Sequence, residues 1–245
     1  MSTPLAGRTA LVTGAGKRIG RAIARTLAEA GADIVVHVNR STTEGEQAAE
    51  EIRALGRRAV VVQADQRSVP EIQAACERAA TELGPVDHLV LSAAIWPHVE
   101  LDETSQEDFD LALEVNLRGP FFWARFLGPR MRTRGGSITA IADVAHDRPW
   151  PASLPYCMAK AGVVSMTYGL ARALAPEVRV NAIGPGPILF PPDYPEKRKR
   201  EDVSATLLGR EGSPEDIAGA VLYLTTSPNV TGVMLPVDGG YRFGI

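Results

Sequence analysis

The chain has 245 residues, 45% of them hydrophobic, enough to bury roughly 70 to 75% of its unfolded surface as one large domain. Its net charge of -3 comes from 26 basic and 29 acidic residues spread along the sequence, which offers no extended basic face for nucleic acid. Cys76 and Cys157 have neither metal-ligand nor redox spacing, no segment of about eighteen uninterrupted apolar residues occurs, and Met1 to Gly7 has no leader-like pattern. The expectation is therefore a cytoplasmic protein that uses no metal, membrane or disulfide framework.

In chain order, short β-branched runs alternate with longer helical patterns. Thr9 to Thr13 reads as a strand, Arg18 to Ala30 as a helix ended by Gly31, and Asp33 to Val38 as a second strand. Glu44 to Leu55 reads as a helix, Ala59 to Gln63 as a strand, Pro70 to Leu83 as a helix, and His88 to Ser92 as a strand. Phe109 to Met131 covers one long helix or two, followed by a strand at Ser137 to Ile141 and a helix at Tyr156 to Ala175. Val178 to Ile183 is extended, Pro214 to Thr226 helical and Val233 to Val237 extended. The strands are apolar throughout rather than alternating, as expected when helices cover both faces. The pattern predicts an α/β fold, a Rossmann-like doubly wound parallel sheet in a single domain.

The interval from Pro185 to Leu207 interrupts this rhythm with prolines and charges, and such a long connection after a strand suits a substrate lid. Within it, Lys197-Arg198-Lys199-Arg200 reads as a solvated stretch flanked by Glu196, Glu201 and Asp202.

Two local patterns carry chemistry. The first strand runs into Gly14-Ala15-Gly16-Lys17-Arg18-Ile19-Gly20 and then a helix, where glycines permit a tight turn and free amides attract a pyrophosphate. The second strand ends at Asn39-Arg40-Ser41, where NAD sites usually carry a carboxylate for the ribose. A guanidinium and a hydroxyl there favour a 2′-phosphate, so NADP(H) is the expected cofactor, with Lys17 as a second cation.

The second pattern is Tyr156-x-x-x-Lys160, with Asp143 thirteen residues upstream of the tyrosine. One helical turn puts the phenol and the ammonium on one face, where the ammonium is expected to favour the phenolate and make Tyr156 a usable proton donor or acceptor.

Together with Asp65, Val115-Asn116-Leu117-Arg118-Gly119, Val180 to Gly186, Thr231-Gly232 and Asp238-Gly239-Gly240, these residues make the chain resemble the short-chain dehydrogenase/reductase family from Thr9 to Gly240. The resemblance implies that Asp65, with Gln66 beside it, holds the adenine end. It implies that Tyr156 and Lys160 hold the nicotinamide ribose, and that Pro185 to Ile188, including Gly186, hold the carboxamide side. Asn116 would extend a proton path from Lys160 through water, or else satisfy backbone groups at a helix irregularity. A homotetramer is also implied, with Tyr241 to Ile245 near a neighbouring subunit's site.

Three departures stand out. The family usually has Ser where Asp143 stands, Gly where Arg18 stands, and Asn-Asn-Ala-Gly where this chain reads Leu91-Ser92-Ala93-Ala94, so Ser92, Ala93 and Ala94 are expected to meet the cofactor through their backbone. Arg18 with Asp143 resembles the pteridine reductase branch, including the bacterial dihydromonapterin reductases. A carboxylate suits ring nitrogens that must gain a proton better than it suits a developing alkoxide. Arg18 and Trp96 are expected to hold such a ring, the indole covering one face. The expectation is NADPH-dependent reduction of a dihydropterin, dihydromonapterin or dihydrofolate-like substrate, with Asp143, Tyr156, Lys160 and Asn116 as the proton machinery. The alternatives are reduction of a 3-oxoacyl-carrier or sugar-like ketone, with Asp143 protonated or displaced, and an NADP(H)-sensing protein without turnover.

Overall fold

The computed structural model describes residues 3–244; Met1, Ser2 and Ile245, on which parts of the leader and tail expectations fall, lie outside the described residues. Seven parallel strands form one sheet in the order β3-β2-β1-β4-β5-β6-β7. They are β1 Thr9–Thr13, β2 Asp33–Val38, β3 Ala59–Gln63, β4 His88–Leu91, β5 Gly136–Ile141, β6 Val178–Pro185 and β7 Met234–Val237. The helices are α1 Arg18–Glu29, α2 Thr42–Ala54, α3 Val69–Leu83, α4 Gln106–Leu113, α5 Gly119–Met131, α6 Leu154–Leu174, α7 Glu196–Ser204 and α8 Pro214–Thr226.

The continuous apolar strands are explained by the two cores that they separate. On one face, Ile23 and Leu27 of α1, Ile52 of α2 and Ile217 and Leu224 of α8 bury against Val12, Ile34 and Val36. On the other, Ile72 of α3, Trp123 and Leu127 of α5 and Val163 of α6 bury against Leu11, Leu89 and Ile138. Helix starts follow local chemistry: Ser105 with Asp108 and Ser213 with Asp216 form capping boxes, and the Ser68 hydroxyl accepts from the Glu71 N–H ahead of α3.

The sheet reverses direction of growth beside β1, between β1 and β4. That is where open α/β sheets leave a crevice beyond the carboxyl ends of their strands. The loops after Thr13, Leu91, Ile141 and Pro185 all leave that edge.

Two elements differ from the sequence expectation. The stretch 106–131 is neither one helix nor two separate ones, because a π-helical turn, Glu114–Arg118, joins α4 to α5. The interval 185–207 is not all irregular: Glu196–Ser204, the basic run included, forms α7. Among the described residues no helix is long and apolar enough to cross a membrane, and no group of three or more His, Cys, Asp or Glu is placed to hold a metal.

Candidate active site

A cavity of about 1300 Å³ lies over the switch point, and every residue expected to touch cofactor or substrate lines it; Asn116, expected on the proton path, does not. Its floor begins at the Gly-rich turn. Gly14 has φ +69°, and a Cβ there would stand 2.9 Å from the Ala93 Cα; a Cβ on Gly20 would stand 2.3 Å from the Gly14 carbonyl oxygen. The glycines thus let β1, α1 and the loop after β4 close on one another. The N-cap of α1 is Lys17, whose side chain makes no capping hydrogen bond, so the first-turn amides have no side-chain acceptor. Such a cradle fits an anionic pyrophosphate.

Several neighbours hold the cradle. The Thr13 hydroxyl accepts from the Ser92 and Ala93 amides at 2.9 and 3.0 Å, pinning the loop after β4 through its backbone. His37, absent from the sequence expectation as a site residue, is fully enclosed: Nδ1 accepts from the Gly14 amide at 3.3 Å and Nε2 donates to the Ala64 carbonyl at 3.0 Å. Only the neutral ring can do both. Lys17 pairs with Glu44 at 2.7 Å. Arg40 is exposed at the end of β2 beside Ser41. Asp65 pairs with Arg67 at 2.6 Å, and Gln66 donates to the carbonyls of Ala93 and Val115.

The buried histidines carry a pH prediction. Desolvation lowers His37 to about 4, against the Ala64 hydrogen bond and Asp65. Desolvation also lowers His88 to about 4, with Arg8 and Arg179 adding to it and Asp87 opposing it. Because the unfolded imidazole titrates near 6.5, the unfolded chain takes up the protons first, and the stability present above about pH 6.5 is lost as pH falls toward 4. Between pH 7 and 5 each ring is expected to cost about 2 kcal/mol. Denaturant unfolding of wild type and His88→Gln checks this: the variant should lose about half of the histidine contribution, while the raised Asp143 carboxyl adds a slope of opposite sign to both proteins.

At the reactive end, Asp143 follows β5, and α6 opens with Pro155 in its first turn and carries Tyr156 and Lys160 on one face. The Tyr156 hydroxyl donates to Asp143 Oδ2 at 2.7 Å, and Asp143 Oδ1 accepts from the Ala145 amide at 2.9 Å. Lys160 Nζ donates to the Ile141 carbonyl at 2.7 Å and stands 5.5 Å from the Tyr156 ring centroid.

These contacts reverse one expectation. Burial first, then the Asp143 charge and hydrogen bond, hold the Tyr156 phenol well above its ordinary range rather than favouring the phenolate. Burial raises the Asp143 carboxyl, against the pull of the Ala145 amide, Tyr156 and Lys160. Burial brings Lys160 down to about 8, with Asp143 opposing. The phenol and the carboxyl thus hold their protons more firmly than usual, while Lys160 gives its proton up more readily.

Asn116 sits in the π-helical turn with both ends of its amide engaged: Nδ2 donates to the Ala112 carbonyl and Oδ1 accepts from the Ile95 amide, each at 3.0 Å. It braces the turn and the loop after β4 instead of lining the cavity.

Arg18 has φ +52°, the region that glycine occupies freely, and its guanidinium donates to the Leu189 carbonyl. It bridges the Gly-rich turn and the 185–207 segment. Trp96 is half-exposed, its Nε1 donating to Ser153 Oγ at 3.1 Å. Trp96 also joins an aromatic wall: Trp150 lies 5.7 Å and Tyr194 5.9 Å from it, and Trp150 stacks on Tyr156 at 6.3 Å with 6° between planes. Trp150 and Tyr194 were not legible as site residues. Tyr241 lines the cavity of its own chain, and its hydroxyl, like that of Tyr194, donates to Asp202.

Fold and site together define a dinucleotide-dependent oxidoreductase. A family profile described as enoyl-(acyl carrier protein) reductase matches residues 14–242. The chain is 35% identical to an L-rhamnose 1-dehydrogenase (NAD(P)(+)) of Sphingomonas sp., the match covering 96% of each protein. It is 34% identical to a 3-oxoacyl-[acyl-carrier-protein] reductase of Synechocystis sp., over 97% of this chain and 98% of that one. Among solved structures, a blue fluorescent protein from a metagenomic library in complex with NADPH superposes with TM-score 0.92 at 35% identity, over 97% and 99% of the two chains. A putative short-chain alcohol dehydrogenase from Sinorhizobium meliloti 1021 superposes with TM-score 0.94 at 32% identity over the whole of both chains. The chain belongs to the short-chain dehydrogenase/reductase family.

Proposed function

We propose that this protein is an NADP(H)-dependent carbonyl reductase in which Tyr156 delivers the proton and Asp143 stands behind it. The observation that carries the reading is the 2.7 Å hydrogen bond from the Tyr156 hydroxyl to a carboxyl that burial keeps protonated more readily than usual. An ionised Asp143 would repel a developing alkoxide; a protonated one does the opposite. With a proton on Oδ2, the carboxyl donates to the phenol oxygen, and the phenol O–H turns to the substrate oxygen. The phenol proton passes to that oxygen as the carbonyl carbon becomes a carbinol, Asp143 then reprotonates the phenol, and the carboxylate regains a proton from solvent before the next turnover. The Lys160 ammonium, anchored on Ile141, supports the transient negative charge on Tyr156. The hydride is what bound NADPH supplies, and the residues of the cradle fit that cofactor. The sugar dehydrogenase and acyl-carrier reductase among its relatives support a carbonyl substrate.

Arg40 and Ser41 set the preference for the 2′-phosphate. Arg40→Ala is expected to weaken NADPH binding about tenfold or more and to leave NADH nearly unchanged, since an exposed guanidinium–phosphate pair is lost. Titration of both nucleotides against both proteins reads this directly.

A second reading, reduction of a dihydropterin, dihydromonapterin or dihydrofolate-like ring, is favoured by Asp143 itself. When ionised, its carboxylate accepts from a ring N–H, and the wall of Trp96, Trp150 and Tyr194 suits a flat heterocycle. The segment 185–207 acts as the lid in either case. Incubation with NADPH and a panel of acyl ketones, sugars and pteridines, following loss of nicotinamide absorbance, separates the readings. Ketones or sugars turned over fastest support the first. Pteridines outcompeting them establish the second. NADPH binding without consumption would leave only the sensor. Assembly into a tetramer in the cytoplasm completes the proposal, supported by Leu111, Phe121, Met158 and Tyr168 exposed on α4 to α6; sedimentation equilibrium tests it.

A further inference from the structure

The aromatic wall does not stop at the reactive phenol. From Tyr156 it runs to Trp150, on to Trp96 and then to His98, each step close to 6 Å between ring centroids: 6.3, 5.7 and 6.3 Å. Tyr194 closes its side, with Phe190 stacked on it at 4.9 Å. The cavity at its far end is lined by His98 and Arg198.

The basic run of α7 divides by partner. Lys199 pairs with Glu211 at 2.9 Å, and Lys197 lies 3.9 Å from Glu201. Arg198 is in no ion pair among the described residues; its Nη1 donates to His98 Nε2 at 3.4 Å. A guanidinium has only donors, so His98 must offer a lone pair, and a neutral imidazole leaves the arginine charge unbalanced. At this end the cavity lining also holds Glu100, Glu201 and Asp202, the last with its carboxylate held by the hydroxyls of Tyr194 and Tyr241. Arg198 is thus the member of the run that faces the cavity with donors to spare.

We propose that Arg198, positioned by His98, is a specificity-determining residue that recognises a carboxylate at the end of the substrate remote from the reacting carbonyl. The substrate class is then an elongated, flat or apolar carbonyl compound with an anionic tail. This rests on the carbonyl-reductase reading for its reacting end. A small neutral ketone would leave both the far half of the wall and the guanidinium unused. The planar fork of Arg198 suits a two-oxygen anion, and the run of rings offers an apolar side along the length between.

The test uses matched pairs of ketones. In the short pair, 4-acetylbenzoate and 4-acetylbenzamide, the tail stops before the far end. In the long pair, 4-(4-acetylphenyl)butanoate and its amide, it extends toward Arg198. Wild type is expected to prefer the long carboxylate over its amide by about tenfold in kcat/KM, carried in KM, with little preference in the short pair. Arg198→Gln should abolish the long-pair preference while NADPH affinity stays unchanged. Equal use of the long carboxylate and amide by wild type, or a preference that survives in Arg198→Gln, overturns the proposal. The same long pair is also titrated against the NADPH complex by quenching of indole fluorescence. Tighter binding of the carboxylate, lost in Arg198→Gln but without turnover of any ketone, would support the anion site while refuting the carbonyl reading. Equal binding of acid and amide would refute the anion site whatever the turnover.

Discussion

Tyr156→Phe is expected to lower kcat with the best ketone by about 10³-fold while NADPH binds as tightly as before. Among the described residues, the phenol both touches Asp143 and lies at the reacting end of the aromatic wall. Removing one oxygen leaves the Trp150 stack intact, so the loss measures proton delivery and not packing. Asp143→Asn refines this result. An amide donates a hydrogen bond to the phenol oxygen as a protonated carboxyl would but cannot reprotonate it, so the first proton transfer should survive and steady-state ketone turnover should fall about tenfold, solvent restoring the phenol proton. Wild-type activity should decline as pH rises through the raised pKa of Asp143, because the protonated carboxyl is the active form, and that decline should be absent in Asp143→Asn. For a pteridine the order inverts, since an amide oxygen can accept a ring N–H but cannot relay the proton that a ring nitrogen must gain. Loss of ketone reduction in Asp143→Asn as complete as in Tyr156→Phe would contradict the protonated-carboxyl account.

The second large effect is expected at Gly20. Its added Cβ would meet the Gly14 carbonyl oxygen at 2.3 Å and the carbonyl carbon at 2.8 Å. Both atoms are backbone of the turn, so no side chain can swing aside; either α1 lifts from β1 or the turn opens. Gly20→Ala is expected to cost about 3 kcal/mol of stability and to weaken NADPH binding at least about 100-fold, because the amides that face the pyrophosphate move with α1. Gly219 supplies the control. It lies on the exposed face of α8 with nothing within 4 Å of an added Cβ. Gly219→Ala should therefore stabilise the protein by about 0.5 to 1 kcal/mol through helix propensity. Denaturant unfolding with and without NADPH reads both variants, and a Gly20→Ala protein as stable and as tight-binding as wild type would refute the close-packed turn.

The strands were legible because their patterns are local. Thr9–Thr13, Asp33–Val38 and Ala59–Gln63 have the bounds that their β-branched runs predict, and the Gly-rich turn announces itself by composition. The π-helical turn at Glu114–Arg118 was foreshadowed only by the reading of Asn116 as satisfying backbone groups at a helix irregularity; the periodicity of Val115-Asn116-Leu117 does not distinguish it from an ordinary helix. The proton affinity of Tyr156 was misjudged for a related reason. Spacing brings Lys160 to the correct face, but the phenol's burial and its hydrogen bond to Asp143, both set by other elements, outweigh that charge. The wall of Trp96, Trp150 and Tyr194 joins three loops far apart in sequence, and no periodicity relates them. His37 looked like one more buried strand residue, although its ring ties the Gly14 amide to the Ala64 carbonyl.

The most direct test of carbonyl reduction is the fate of the hydride itself. NADPH carrying deuterium at the transferring position is incubated with wild type and the ketone that it consumes fastest, and the isolated alcohol is weighed by mass spectrometry. One deuterium on the carbinol carbon, with none formed by Tyr156→Phe over the same interval, is the expected result. Consumption of NADPH that leaves no label in any alcohol, or labelled pteridine as the only product from a mixed panel, would contradict it.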